Sequence, residues 1–486
     1  MDKSTFFLSA SELSKKIWDN EITSTELTTG FYTRIKEQND ARKAIVISNK
    51  KDALESARKL DIACKEGINQ GILHGVPVTI KESFNLKGFK TTVNFKNLRN
   101  NVATEDSVVA KRLKDAGAVI LGKTNVPTLL SDNQTFGPIY PTANNPFDLS
   151  RTPGGSTGGG AAAVAAGLTT FEIGTDIGGS IRNPASFCGI FALKPTENQY
   201  IQSGHVPPFP NTSGGYISMA SIGPLARTMK DIELAWSVIN QPDWKYLNSL
   251  PVISSRAKHE TLGEYKIGWF DDFEMVECSN SNKKVLSHFI EELTLKGVKV
   301  HKFHVDEHWL HRSFEVWATL FGFITGQNAP WVVRQFMKLK FRQQTRGASY
   351  NAMKAFSKGL SMDFRVFSNT LKIRQDIIAQ LMVWFEDYDF IISPVSIGPA
   401  FKHNPKQKPI KYDGRKIPYP DYNFSYTVPY NACGNPSLII PGGFSDEGLP
   451  TGIQIAGPHH SETELVHFGK LVEDIGFKFQ APEGFS

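Results

Sequence analysis

Pro153-Gly154-Gly155-Ser156-Thr157-Gly158-Gly159-Gly160-Ala161-Ala162-Ala163-Val164-Ala165-Ala166-Gly167 opens as a glycine loop and runs on as an alanine helix. A flexible linker would share the glycines, but not the alanine run behind them. That run suits a tightly packed, buried helix whose start lets a backbone approach closely. Phe171-Glu172-Ile173 follows as a strand. It leads into a second glycine turn, Gly174-Thr175-Asp176-Ile177-Gly178-Gly179-Ser180-Ile181-Arg182-Asn183-Pro184. Buried helix, strand and turn in succession are the signature of an α/β protein.

Outward from this centre the alternation continues. Two helices open the chain, each with a capping box, Ser9-x-x-Glu12 and Thr23-x-x-Glu26. Residues 76–80 read as a strand with Lys81 at its exit. Residues 107–116 read as a helix that Gly117 caps, and 118–121 as the next strand. Further strands are expected at 265–270, 298–303, 390–392, 437–440 and 452–455, with a helix bearing Leu286, Phe289, Ile290 and Leu293 between two of them. The pattern predicts one α/β domain over residues 1–486, its mostly parallel or mixed twisted sheet covered by helices on both faces. About 66–230 would form the core and about 241–376, richer in charge and helix signals, an insertion or lid. Residues 380–486 would complete the domain.

With 40% hydrophobic and 21% charged residues, the composition is that of a soluble globular enzyme. A net charge of +6, scattered over lysines, implies no nucleic-acid partner. Cys64, Cys188, Cys278 and Cys433 lie far apart, which points to reduced thiols in a cytoplasmic protein. No signal-peptide core follows Met1. The most apolar stretch, residues 316–333, is broken by Gln327, Asn328 and Pro330, too early for a membrane span.

Three chemistries compete for the first glycine loop. A phosphate-binding loop needs a lysine that is absent, and a dinucleotide fingerprint needs a G-x-G-x-x-G spacing that is absent. Gly154-Gly155-Ser156-Thr157-Gly158 matches the nucleophile elbow G-x-S-x-G, yet residues 145–153 before it read as loop where that elbow requires a strand. Ser180 is better placed. Glycines just before a serine free consecutive N–H groups to converge on an oxyanion. Lys81, flanked by Gly75-Val76-Pro77-Val78-Thr79-Ile80, is a lysine that burial would render neutral and basic.

At these residues the chain resembles the amidase signature family. The resemblance rests on Gly154–Gly159, on Thr175–Pro184, on Gly75–Glu82, and on residues 431–436 and 448–454. It spans nearly the whole chain and is weakest at about 240–375. Two departures stand out: Thr157, where many members have serine, and Gly160, often serine or acidic. The resemblance implies amide hydrolysis by a Ser-Ser-Lys triad: Ser180 as nucleophile, Ser156 as a bridging serine after a cis peptide, Lys81 as base. Backbone N–H groups of Ile177, Gly178, Gly179 and Ser180 would form the oxyanion hole, supported by Thr157, Asp176 and Arg182. An Asp176–Arg182 ion pair bracing the turn is preferred to a substrate contact. Neither cofactor nor metal is implied, and the substrate would be a small-molecule amide.

Histidines are the remaining competitors. His301, His304, His308 and His311 cluster, and His304-Val305-Asp306-Glu307-His308 fits H-x-x-E-H. His304 directly follows the strand expected at 298–303, which leaves little room for a helix to carry both ligands. His74 lies near Lys81 in sequence. Within the family the alternative is the glutamine-hydrolysing A chain of a tRNA-dependent amidotransferase; outside it, a non-catalytic binding scaffold. The aromatic segment 316–323 suits an apolar wall and favours a stand-alone amidase for apolar or aryl substrates, with esters and carbamates within reach. A homodimer is common among similar proteins.

Overall fold

The computed structural model describes residues 1–197, 203–208, 217–242, 257–273, 276–350 and 352–485. Both capping boxes form: Ser9 caps the helix Ala10–Trp18 and Thr23 caps Ser24–Arg42. In each, the glutamate at the third helical position reaches back to the cap backbone, so two open N–H groups are satisfied reciprocally. Ser107 caps the helix Val108–Asp115, and Gly117, at φ +85°, turns the chain into the following strand.

In chain order the strands are β1 (Ile45–Ser48), β2 (Pro77–Lys81), β3 (Val119–Thr124), β4 (Phe171–Asp176), β5 (Phe191–Lys194) and β6 (Ser221–Ala226). They continue with β7 (Lys266–Trp269), β8 (Lys299–Lys302), β9 (Phe390–Pro394), β10 (Ile410–Tyr412), β11 (Arg415–Ile417), β12 (Ser437–Phe444) and β13 (Pro450–Ala456). β10 and β11 make a separate hairpin. Among the described residues the others form one 11-stranded sheet in the order β1-β3-β2-β4-β6-β5-β12-β13-β9-β7-β8. The sheet is mixed. Neighbours run parallel in β3-β2-β4 and β9-β7-β8, and antiparallel through the centre and at the β1 edge. Short turns such as that joining β12 to β13 enforce the antiparallel pairs.

Both faces are covered. On β12, Leu438 and Ile440 join one buried cluster with Met229, Phe289 and Phe468, while Ile439 joins another with Ala161, Ala185 and Leu225. Alternation along the strand sends these side chains to opposite faces, so the sheet is a buried middle layer. On the second face lie the wholly buried helices Gly158–Ala165 and Arg182–Phe187. The first is made only of glycine, alanine and valine, which lets its backbone approach the strands beneath it.

The expected insertion at 241–376 falls partly outside the described residues. Within it, helices Glu307–Gly326, Trp331–Gln344 and Ala352–Leu360 join the following helix Phe364–Asp387 in a cluster that reaches Phe187 and Tyr426. No helix among the described residues is long and apolar enough to cross a membrane.

Candidate active site

β2 and β4 are parallel neighbours, with Thr79 opposite Glu172 and Ile80 opposite Ile173. Their carboxyl ends therefore lie side by side, the edge at which α/β sheets gather functional groups. Lys81 is the last residue of β2. β4 ends at Asp176, and the turn 177–180 leads into the helix Arg182–Phe187. The loop before the helix Gly158–Ala165 crosses the same edge, tied down where Thr157 N–H donates to the Ser180 carbonyl at 3.1 Å. Lys81, Ser156 and Ser180, 99 positions apart in the chain, meet there.

The Lys81 side chain is fully buried. Its Nζ lies within hydrogen-bond distance of Ser156 Oγ (2.8 Å), Thr157 Oγ1 (2.9 Å), Thr175 Oγ1 (2.9 Å) and the Thr175 carbonyl (3.2 Å). Burial pulls its pKa down to about 7; Asp176 and Glu172 act the other way and keep it from falling further. The Gly155–Ser156 peptide is cis, as the resemblance implied. Gly155 has no room for a side chain, since a Cβ there would lie 2.5 Å from the Asp132 carbonyl oxygen. Ser180 is half-buried. Among the described residues no side-chain hydrogen bond joins its hydroxyl to Ser156; the link between the two segments is the backbone bond from Thr157.

Asp176 organises the turn. Its carboxylate accepts from the N–H groups of Gly179 (2.8 Å), Ile181 (3.0 Å) and Arg182 (3.4 Å), and from Asn431 Nδ2 (3.0 Å). Arg182 grips it with two nitrogens, Nε at 3.1 Å and Nη2 at 3.0 Å, and both side chains are wholly buried. Burial alone would raise the carboxyl, but the Arg182 guanidinium holds it well below the usual carboxylate range. The expected ion pair is thus present and faces the turn. Arg182 is completed by the Thr427 carbonyl, Gln454 Oε1 (each 2.9 Å) and Asn431 Oδ1.

Hydrogen bonds also set the direction of each peptide in the turn. Trp317 Nε1 donates to the Ile177 carbonyl at 2.8 Å, and a trans peptide then points the Gly178 N–H the opposite way. Thr427 Oγ1 donates to the Gly178 carbonyl at 3.3 Å, and the Gly179 N–H correspondingly faces Asp176. Gly179 sits at φ +103°, where only glycine is at ease, and a Cβ would meet Asn183 and Thr427 at 2.7 Å. Among the described residues the N–H groups of Ile177, Gly178 and Ser180 have no backbone acceptor. Of the four donors expected at an oxyanion hole, Gly179 is the exception, already bonded to Asp176.

Beneath Lys81 lies Glu172, another fully buried carboxyl. Thr79 Oγ1 and Thr124 Oγ1 donate to it at 2.5 and 2.7 Å, and burial raises it to about 8 against their pull and that of Lys81. It fills the space that Gly160 leaves open. A Cβ on Gly178 would meet Trp317 and Phe424, their rings 5.4 Å apart, and Phe321 stacks on Trp317 at 5.0 Å.

The competing histidines go elsewhere. The helix Glu307–Gly326 starts after Asp306, so His304 lies outside it and shares no helical face with His308. No group of three or more histidine, cysteine, aspartate or glutamate side chains among the described residues is arranged to hold a metal. His74 bonds the backbone of Gln70 and Leu60 beside Trp18, away from the pocket. The 154–158 loop has no strand feeding it; the strand enters the turn of Ser180 instead. Thr175 and Gln454 stand inside motifs quoted from the sequence but were given no role there, while Trp317, Phe424 and Thr427 lie outside them. Only the aromatic run at 316–323 hints at one of them.

Comparisons with known proteins point to one family. Residues 26–466 match the Amidase family. The A chain of a glutamyl-tRNA(Gln) amidotransferase from Fusobacterium nucleatum is 30% identical over 484 residues, covering 96% of either chain. A fatty acid amide hydrolase superposes with a TM-score of 0.81 at 22% identity, over 98% of this chain and 86% of that one. A bacterial aryl acylamidase, also 22% identical, gives 0.81 over 97% and 96%. Motif, fold and match converge: this chain belongs to the amidase signature family, hydrolases that act on amide C–N bonds.

Proposed function

We propose that the chain hydrolyses carboxylic amides through an acyl-enzyme on Ser180, with Ser156 as proton relay and Lys81 as base. The observation that carries this reading is the buried Lys81 amine, 2.8 Å from Ser156 Oγ and pulled down to about 7. A neutral amine has two N–H bonds and one lone pair. The Thr175 carbonyl can only accept, so it takes one N–H; a threonine hydroxyl takes the other, and the lone pair is left for Ser156. Ser156 gives its proton to Lys81 while taking that of Ser180, whose Oγ attacks the amide carbon. The hydroxyl contact between Ser156 and Ser180 closes when substrate seats, as catalytic hydrogen bonds commonly do.

The tetrahedral oxyanion is held by the N–H groups of Ile177, Gly178 and Ser180, each worth roughly 3–4 kcal/mol in the transition state. Gly179 serves the site indirectly, fixing the turn through Asp176. As the intermediate collapses the C–N bond breaks, and Ser156 returns the proton to the leaving nitrogen. Water then attacks the ester through the same relay and frees the acid.

The acyl or amine group next to the turn is apolar on this reading, because Trp317 and Phe424 are what it meets. Similarity to the A chains of amidotransferases favours a second reading, in which glutamine is the amide and the ammonia passes to a partner protein. Glutamine's charged end calls for an acid and an arginine, where this site offers two aromatic rings.

Initial rates on aryl anilides, aliphatic amides and glutamine decide between them. We expect anilide turnover that rises through neutral pH as Lys81 loses its proton and disappears in Ser180→Ala. Glutamine turnover without anilide turnover would transfer the site to the second reading. Full activity in Ser180→Ala would end both.

A further inference from the structure

The helix Trp331–Gln344 is amphipathic with its apolar stripe outward. Its inner side carries Phe341, stacked on Phe356 at 3.9 Å. Outside, Trp331 is 66% exposed, Val332 69%, Phe336 67% and Leu339 55%. At 100° per residue these four fall within an arc of roughly 140°, in which Gln335, Arg342 and Gln343 stand between them. Phe364, at the head of a later helix, is 85% exposed. Arg334 Nη1 bonds the Leu360 carbonyl (3.1 Å) and Lys338 Nζ bonds Ser361 Oγ (3.0 Å), which holds this helix against the segment leading to Phe364. Large apolar side chains gathered in the open on one helix face mark an interaction surface.

Charge selects the occupant. Arg334, Lys338, Lys340 and Arg342 are the helix's charged residues, with no acid among them, and Arg346 follows. A second copy docked by a two-fold axis would set this cationic helix against itself. A basic helix with tryptophan, phenylalanine and leucine on one side instead fits a layer that is anionic at its surface and apolar beneath. At fourteen residues it is too short to cross a bilayer, but long enough to lie in its interface.

We propose that the helix Trp331–Gln344 docks this enzyme on an anionic lipid surface. Trp331, Val332, Phe336 and Leu339 insert below the headgroups, and the exposed Lys340, Arg342 and Arg346 meet the phosphates. From the underside of this helix an aromatic path leads inward. Phe341 stacks on Phe356, Phe356 lies 5.9 Å from Phe321, and Phe321 stacks on Trp317 beside Gly178. The docked face and the turn of Ser180 thus share one apolar body.

The test is flotation of the full-length protein with phosphatidylcholine vesicles made with or without phosphatidylglycerol. Wild type should float with the phosphatidylglycerol vesicles, far less with phosphatidylcholine alone, and be released by salt. The double variant Trp331→Ser/Phe336→Ser should lose at least tenfold in vesicle affinity, and Arg342→Gln roughly fivefold, both with unaltered thermal unfolding. The proposal is overturned if wild type ignores phosphatidylglycerol vesicles at low salt, or if the double variant floats as well as wild type. A dimer in sedimentation velocity that the double variant splits would assign the face to a second copy and overturn it too.

Discussion

Replacing Lys81 by methionine separates what the lysine does for the fold from what it does for the reaction. An ordinary lysine has a pKa of 10.5, and burial brings Lys81 to about 7. Below the folded value the amine is protonated in both states, and the native state bears the full penalty of a buried charge, ~4–5 kcal/mol. Above 7 the folded protein holds it neutral while the unfolded chain still binds a proton, so the penalty shrinks as pH rises toward 10.5. Between pH 7 and 9.5 wild type should therefore gain about 3 kcal/mol of stability that Lys81→Met does not. Methionine also strands the hydroxyls of Ser156, Thr157 and Thr175, a loss that is the same at each pH and cancels in the comparison. The assay is urea denaturation of both proteins at the two pH values, read by fluorescence and circular dichroism. Turnover should vanish at both. A stability difference that does not change with pH would refute the claim that Lys81 is held neutral by burial, and with it the proposed base.

Three further outcomes follow from the same geometry. Asp176→Asn leaves the buried Arg182 without its counter-charge and should cost ~3–5 kcal/mol in denaturant unfolding, with a fall in kcat as the turn loosens. Gly160→Ser puts a Cβ 2.5 Å from Glu172 Cγ and should cost about 1–3 kcal/mol; Glu172→Ala in the same chain should return much of it, as a double-mutant cycle would measure. Trp317→Ala removes both a pocket ring and the hydrogen bond to Ile177, so kcat on an anilide should drop by at least tenfold along with a rise in KM; a change in KM alone would deny the indole any part in shaping the turn.

Much of this could be read from the chain because continuous apolar runs bounded by turns behave as buried strands, and residues 171–173, 437–440 and 452–455 all do. β6 escaped because Gly223 and Pro224 look like turn signals. In place, Gly223 is demanded by the Leu193 carbonyl, 1.9 Å from where its Cβ would be, and Pro224 faces Ile173 across an antiparallel pair. β1 and β5 escaped because four residues carry little pattern. In the site, Lys81, Ser156 and Ser180 stand in the motifs that carry the family resemblance, and it was the resemblance that pointed to them. The second layer was not legible: Gln454, Thr427 and Asn431 reach Arg182 across more than 240 positions, and no local periodicity encodes such a contact. Thr175 opens one of the quoted motifs, yet nothing in the sequence tells that its hydroxyl lies on the Lys81 amine.

Trp317 presents a ring to whatever lies over Gly178 and, through its indole nitrogen, holds the Ile177 carbonyl. On the proposed function, substrate preference and rate are therefore drawn from one side chain. A lineage that reshapes this pocket cannot drift through neutral replacements at position 317; each change of taste arrives together with a slower enzyme, until some other donor takes over the carbonyl. New specificities in this scaffold should thus emerge by paired substitutions, one to open space and one to restore the lost grip on the turn.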